Sequence, residues 1–170
     1  LKPASLQDEG EDLAPPLSTE PVAPSHAVPT ALDGLSELGL LPQVVLSAAN
    51  DGELQQVIRW LQNSGNVDAR AESGDGLMHA AAAGGRLRVT EELLQRGASI
   101  DLRSPWGTTA LMVAAGMGQH AMARLLLEYK ASADLQSTEG STALMVAAYK
   151  GHTECVQELL AAGASIELLN

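Results

Sequence analysis

The sequence predicts an all-α solenoid of stacked helix-turn-helix pairs joined by β-hairpin-like turns. Two observations carry this. Gly52, Gly85, Gly118 and Gly151 fall 33 residues apart, and Gly74, Gly107 and Gly140 keep the same interval. A leucine pair then recurs at a fixed offset: Leu93-Leu94, Leu126-Leu127 and Leu159-Leu160. One unit copied without insertions accounts for both. A single small helix pair cannot bury its apolar face, whereas about three stacked copies share a continuous core.

The elements follow in order. Residues 1–30 form a Pro-rich acidic extension, with Pro3, Pro15, Pro16, Pro21, Pro24 and Pro29 among acids and small polar residues. Such composition cannot build a core of its own. It is expected to order only on a surface, its own array or a neighbouring subunit. Pro21-Val-Ala-Pro24 fits a PxxP ligand, but no basic residue flanks it. Residues 31–41 read as a short helix and linker. Thr30-Ala-Leu-Asp33 starts it, Leu32, Leu35 and Leu38 share one side, and Gly39 stops it. This helix would cover the apolar end of the first repeat.

Residues 42–170 form the repeat domain. The first unit, 42–70, is atypical: Ala48-Ala49, Gly52, Trp60-Leu61 and Val67-Asp68 are in register, but Leu41 replaces the leading glycine. Trp60 stands at the first leucine of the pair and is read as core. The full units are 71–103, 104–136 and 137–170. Each opens on a glycine turn, Ser73-Gly74-Asp75, Trp106-Gly107-Thr108 or Glu139-Gly140-Ser141, where glycine tolerates positive φ. Thr109 and Thr142 are suited to N-cap an alanine-rich helix, which Gly85, Gly118 and Gly151 end. A second helix shows apolar spacing, as in Leu87-Val89-Leu93-Leu94 and Cys155-Val156-Leu159-Leu160. Leu168-Leu169-Asn170 would begin another hairpin with no polar cap after it, so either the array continues or a partner covers its end.

The motif Gly-x-Thr-Pro-Leu-His-x-Ala-Ala-x-x-Gly is nearly kept in Gly107–Gly118 and Gly140–Gly151. On these residues the chain resembles the ankyrin repeat family over residues 42–170. Ala110 and Ala143 replace the proline, and Met112 and Met145 the histidine; His79 keeps the histidine, but Gly76 stands where threonine belongs. The resemblance therefore implies loss of the family's threonine–histidine hydrogen bond in every copy, and softer helix starts.

Composition narrows the function classes. The net charge is −11; residues 1–44 hold seven acids against Lys2, leaving fourteen acids and nine bases in the array. Without a basic stripe, nucleic acid and anionic membrane surfaces are poor partners. No apolar run reaches the roughly 20 residues of a spanning helix, so direct membrane insertion is not expected. A single cysteine rules out an internal disulfide and points to an intracellular chain, cytoplasmic first, with an organelle reached after presequence removal as the alternative.

No catalytic signature stands out. Cys155 occupies the place of Met122 one turn before the leucine pair, with no base set to activate it, and reads as a small hydrophobe. His26, His79, His120 and His152 lack metal-ligand spacing, so no metal or cofactor is expected. Glu91-Glu92 point in different directions on a helix and make no catalytic pair. The chain has no GxSxG, phosphate loop or dinucleotide fingerprint, and is read as a non-enzyme.

The resemblance implies instead a binding surface made of the turn tips and the inner face of the short helices. At those positions stand Asp75, Trp106, Thr108, Glu139 and Ser141 on the tips, and Met117, Tyr149 and Lys150 at the inner helix ends. Arg70 and Arg103 hold matching hairpin positions. Trp106 is the sharpest candidate, because tryptophan and arginine are enriched in binding hot spots; packing over the next hairpin is its competing role. The expected function is a non-catalytic module that binds a protein partner. The alternatives are a permanently bound accessory subunit of a large assembly, an organellar one included, or the targeting arm of a longer enzyme or channel.

Overall fold

A computed structural model describes residues 40–63 and 65–166. The Pro-rich extension, residues 31–39 of the expected 31–41 helix and linker, and Leu168-Leu169-Asn170 fall outside them. Eight helices follow in pairs: α1 (Gln43–Asp51) and α2 (Leu54–Gln62), α3 (Leu77–Ala83) and α4 (Leu87–Gln95), α5 (Ala110–Gly116) and α6 (His120–Glu128), α7 (Ala143–Lys150) and α8 (Thr153–Ala161). None exceeds nine residues. Isolated helices under about 12 residues are marginal in water, so packing must hold these in place. The inner helices α1, α3, α5 and α7 pack in sequence against one another, and so do the outer helices α2, α4, α6 and α8. This is the predicted layered stack.

The core repeats with the period. Trp60, Leu93, Leu126 and Leu159 are buried at one register, and Val89, Met122 and Cys155 at another. Ala49, Ala82 and Ala115 are fully buried where inner helices touch, because only a methyl group fits that close approach. Gly65 lies against the Trp60 ring, where an added Cβ would come within 2.5 Å of it.

Three hydrogen-bonded ladders join the layers. Asp68 accepts from the Ser99 amide and hydroxyl, Asp101 does the same for Ser132, and Asp134 accepts from the Ser165 amide. Arg70 donates to the Arg103 carbonyl, and Arg103 to the Gln136 carbonyl. On the other side, Arg86 reaches the Asn50 carbonyl at 2.8 Å, Gln119 the Ala83 carbonyl at 3.4 Å and His152 the Gly116 carbonyl at 3.1 Å. Each satisfies a carbonyl near an inner helix's C-terminus, which would otherwise lack a partner.

This third ladder explains the strict glycines. Gly52, Gly85 and Gly118 have φ of +85°, +65° and +71°. A Cβ there would also meet Arg86, Gln119 and His152 respectively, each within 3.0 Å. The position needs both left-handed backbone and empty space.

The helix starts are capped by the expected threonines. Thr109 and Thr142 hydroxyls accept from the Met112 and Met145 amides at 3.4 and 3.3 Å. The Met145 sulfur stands 3.4 Å from the Thr142 amide and takes its hydrogen. In the second unit His79 Nδ1 accepts from the Gly76 amide, while Nε2 meets the Thr108 carbonyl at 3.0 Å. The threonine–histidine pair is absent at these starts, yet its backbone groups find other partners. The hairpin turns close as predicted: Ala71, Ser104 and Ser137 amides donate to the Asp75, Thr108 and Ser141 carbonyls, all at 2.9 Å.

One position breaks the pattern. Gly97 and Gly163 carry φ of +83° and +85°, but the matching residue is Lys130, with φ +70°. A side chain there costs about 1–2 kcal/mol, against about 0.5–1 kcal/mol of extra chain entropy for glycine. Lys130→Gly is therefore expected to stabilise the domain by about 0.5–1 kcal/mol. Urea unfolding checks this, and an unchanged or lowered midpoint would contradict it.

Candidate functional site

The inner helices and hairpin tips form one face of the stack, and the structure sorts the candidate residues on it into two groups. The first serves the stack itself. Arg70 donates to the Gly74 and Arg103 carbonyls and Arg103 to the Gln136 carbonyl, so both guanidiniums are engaged within the chain. Thr108 and Ser141 are half-buried, and their backbones close the turns. Asp75 is half-buried and accepts from the Ser73 hydroxyl at 3.1 Å.

The second group faces outward. Trp106 is 59% exposed, Met117 58% and Tyr149 87%. Trp106 is tied to the next layer through its carbonyl, which accepts from the Thr138 amide and hydroxyl. The indole is left largely in water. Lys150 sits with its ammonium 5.8 Å from the Tyr149 ring centroid, within cation–π range. Glu139 is exposed at its tip. Trp106 and Met117 flank opposite ends of α5, which rises about 10 Å along its axis. Half-buried Val113 and Val146 lie on α5 and α7 between those two edges. The exposed apolar groups therefore border the face on both sides.

Between α1, α3 and α5 the same face opens into a groove of about 350 Å³. Leu46, Ala80, Ala83 and Val113 give it apolar walls, and Gln43, Ser47, Asn50 and Asp75 polar ones. At one register α1 carries Asn50, α3 Ala83 and α5 Gly116, so the two later helices offer little bulk beside α1. The sequence alone did not disclose the groove. Small residues on α3 and α5 become a depression only once the larger residues of α1 stand beside them.

An ankyrin repeat profile in three copies matches the chain over residues 45–137 and 77–170. The chain belongs to the ankyrin repeat family. No curated protein is similar enough to count as a match. Ankyrin repeats are in general protein–protein interaction modules and are typically non-catalytic.

Among the described residues, no three His, Cys, Asp or Glu side chains gather closely enough to hold a metal ion. No described helix is long and apolar enough to cross a membrane. Cys155 is fully buried, and burial, with Glu154 and Glu158 adding to it, pushes its thiol pKa up. A thiol so placed holds little thiolate at neutral pH. Ellman's reagent is expected to react with it on the order of a hundredfold more slowly in the folded chain than in urea. Equal rates would mean that Cys155 is accessible.

Proposed function

We propose that the array is a non-catalytic module that docks a protein partner on its inner face, with Trp106, Met117 and Tyr149 as apolar anchors. The observation carrying this reading is their exposure on a face whose backbone groups are already paired within the stack. Large apolar side chains cost free energy in water, and burying them against a partner recovers it. Asp75, Glu139 and Lys150 would supply the polar rim that orients that partner. Arg70 and Arg103 would then act indirectly, by holding successive hairpins in register. Nucleic acid is not the proposed partner, because acids outnumber bases in the array.

The test is affinity capture with the wild-type chain and a Trp106→Ala/Tyr149→Ala double variant, read by mass spectrometry. Partners retained by the first and lost by the second support the reading. Identical sets would refute it.

A second reading makes the chain a permanently bound accessory subunit. It draws on Leu160 and Ile166, exposed apolar residues of the last unit that lie off the inner face. Permanent interfaces are larger and more apolar than transient ones. The extension of residues 1–30 would then dock on a neighbouring subunit. Survival of the complex through molar salt would favour this version over a transient adaptor.

A further inference from the structure

We propose that the groove between α1, α3 and α5 is a receptor for an arginine side chain carried by the docking segment of the partner. This rests on the reading above that the inner face binds protein, and it adds the chemistry of what enters.

The argument begins with charge. Among the described residues lining the groove, Asp75 is the one carboxylate, and His79, the other titratable group there, has both ring nitrogens engaged by the Gly76 amide and the Thr108 carbonyl. The nearby arginines are occupied: Arg86 donates to the Asn50 carbonyl, and Arg70 to the Gly74 and Arg103 carbonyls. Both keep their charges, but neither lines the groove: its wall holds one carboxylate and no arginine or lysine, so a cation complements the wall.

Shape then selects among cations. The groove's 350 Å³ is at the small end for ligand pockets, suited to one side chain rather than a whole cofactor. Its floor is apolar, made by Ala80, Ala83, Leu46 and Val113, and a methylene stem can lie along that floor. Its acceptors are spread over two elements, the Gln43 and Ser47 side chains on α1 and Asp75 on the following turn. A planar guanidinium carries five donors in a fixed fork and can serve separated acceptors together. A lysine ammonium is a compact point charge and cannot span them as well.

The experiment is a titration followed by amide NMR on the 170-residue chain. The probes are N-acetyl-arginine amide, N-acetyl-lysine amide and N-acetyl-norleucine amide. The arginine probe is expected to shift the Ser47, Ala80 and Ala83 amides with a dissociation constant on the order of 1 mM, the scale for a ligand of about 15 heavy atoms. The lysine probe should bind more weakly and the norleucine probe not at all. Asp75→Asn keeps an acceptor for Ser73 and should weaken arginine about tenfold. Ala83→Tyr should abolish binding by filling the groove, and α7 already carries Tyr149 at this register.

Equal binding of norleucine would reduce the groove to an apolar crevice and overturn the proposal. So would the absence of shifts at tens of millimolar probe, or full binding by folded Ala83→Tyr. The Trp106→Ala/Tyr149→Ala variant should titrate like the wild type. Failure of the capture experiment and failure of this one are therefore separate results.

Discussion

Leu126→Ala is expected to lower the unfolding free energy by about 2–5 kcal/mol. Leu126 is fully buried on α6, and α6 packs against both α4 and α8. Truncation removes apolar contact and leaves a cavity between two layers that the backbone ladders hold at fixed spacing. A folded domain has only about 5–15 kcal/mol in total, so this single change would bring the array close to unfolding. Leu159 is equally buried, but α8 is the last described outer helix and is packed on one side by α6. In a stack whose stability is a sum of nearest-neighbour terms, Leu159→Ala should therefore fray the last layer and leave the others folded. Urea titration with residue-resolved hydrogen exchange distinguishes the two patterns. A loss below about 1 kcal/mol for Leu126→Ala would mean that the layers close over the missing side chain.

Trp106→Ala should weaken partner binding by about 2 kcal/mol, near thirtyfold, without a comparable loss of stability. The indole is 59% exposed, and the tie of this residue to the next layer runs through its carbonyl, which alanine retains. This asymmetry makes the variant informative. A core tryptophan such as Trp60, 8% exposed, would lose fold and binding together when truncated. Calorimetric titration against a captured partner, paired with thermal unfolding of the free chain, separates the cases. Unchanged affinity would remove Trp106 from the binding surface. A large stability loss would return it to packing over the neighbouring hairpin.

Much of the fold was legible before any coordinates. Interval, leucine pairs and alanine-rich segments place all eight described helices, because a repeat imposes the same local solution each time. Trp60 was readable as core from its register alone. The binding candidates were legible only as positions. Arg70 and Arg103 looked like surface cations, yet their guanidiniums reach carbonyls 33 residues on or nearby in the turn. Nothing in a linear pattern distinguishes a free guanidinium from one committed to the next layer. His152 is a similar case. It reads as a residue after a helix stop, and its role in closing the third ladder appears only once Gly116 stands beside it.

The sequence by itself determined the unit, its period and the order of its layers, since these follow from backbone preferences and from which faces must leave water. The tertiary structure decided which polar side chains remain available, and where the inner face dips between α1, α3 and α5. The physical reason is distance: hydrogen bonds between layers and the relief of a surface depend on residues about thirty positions apart. Their contact exists only after stacking.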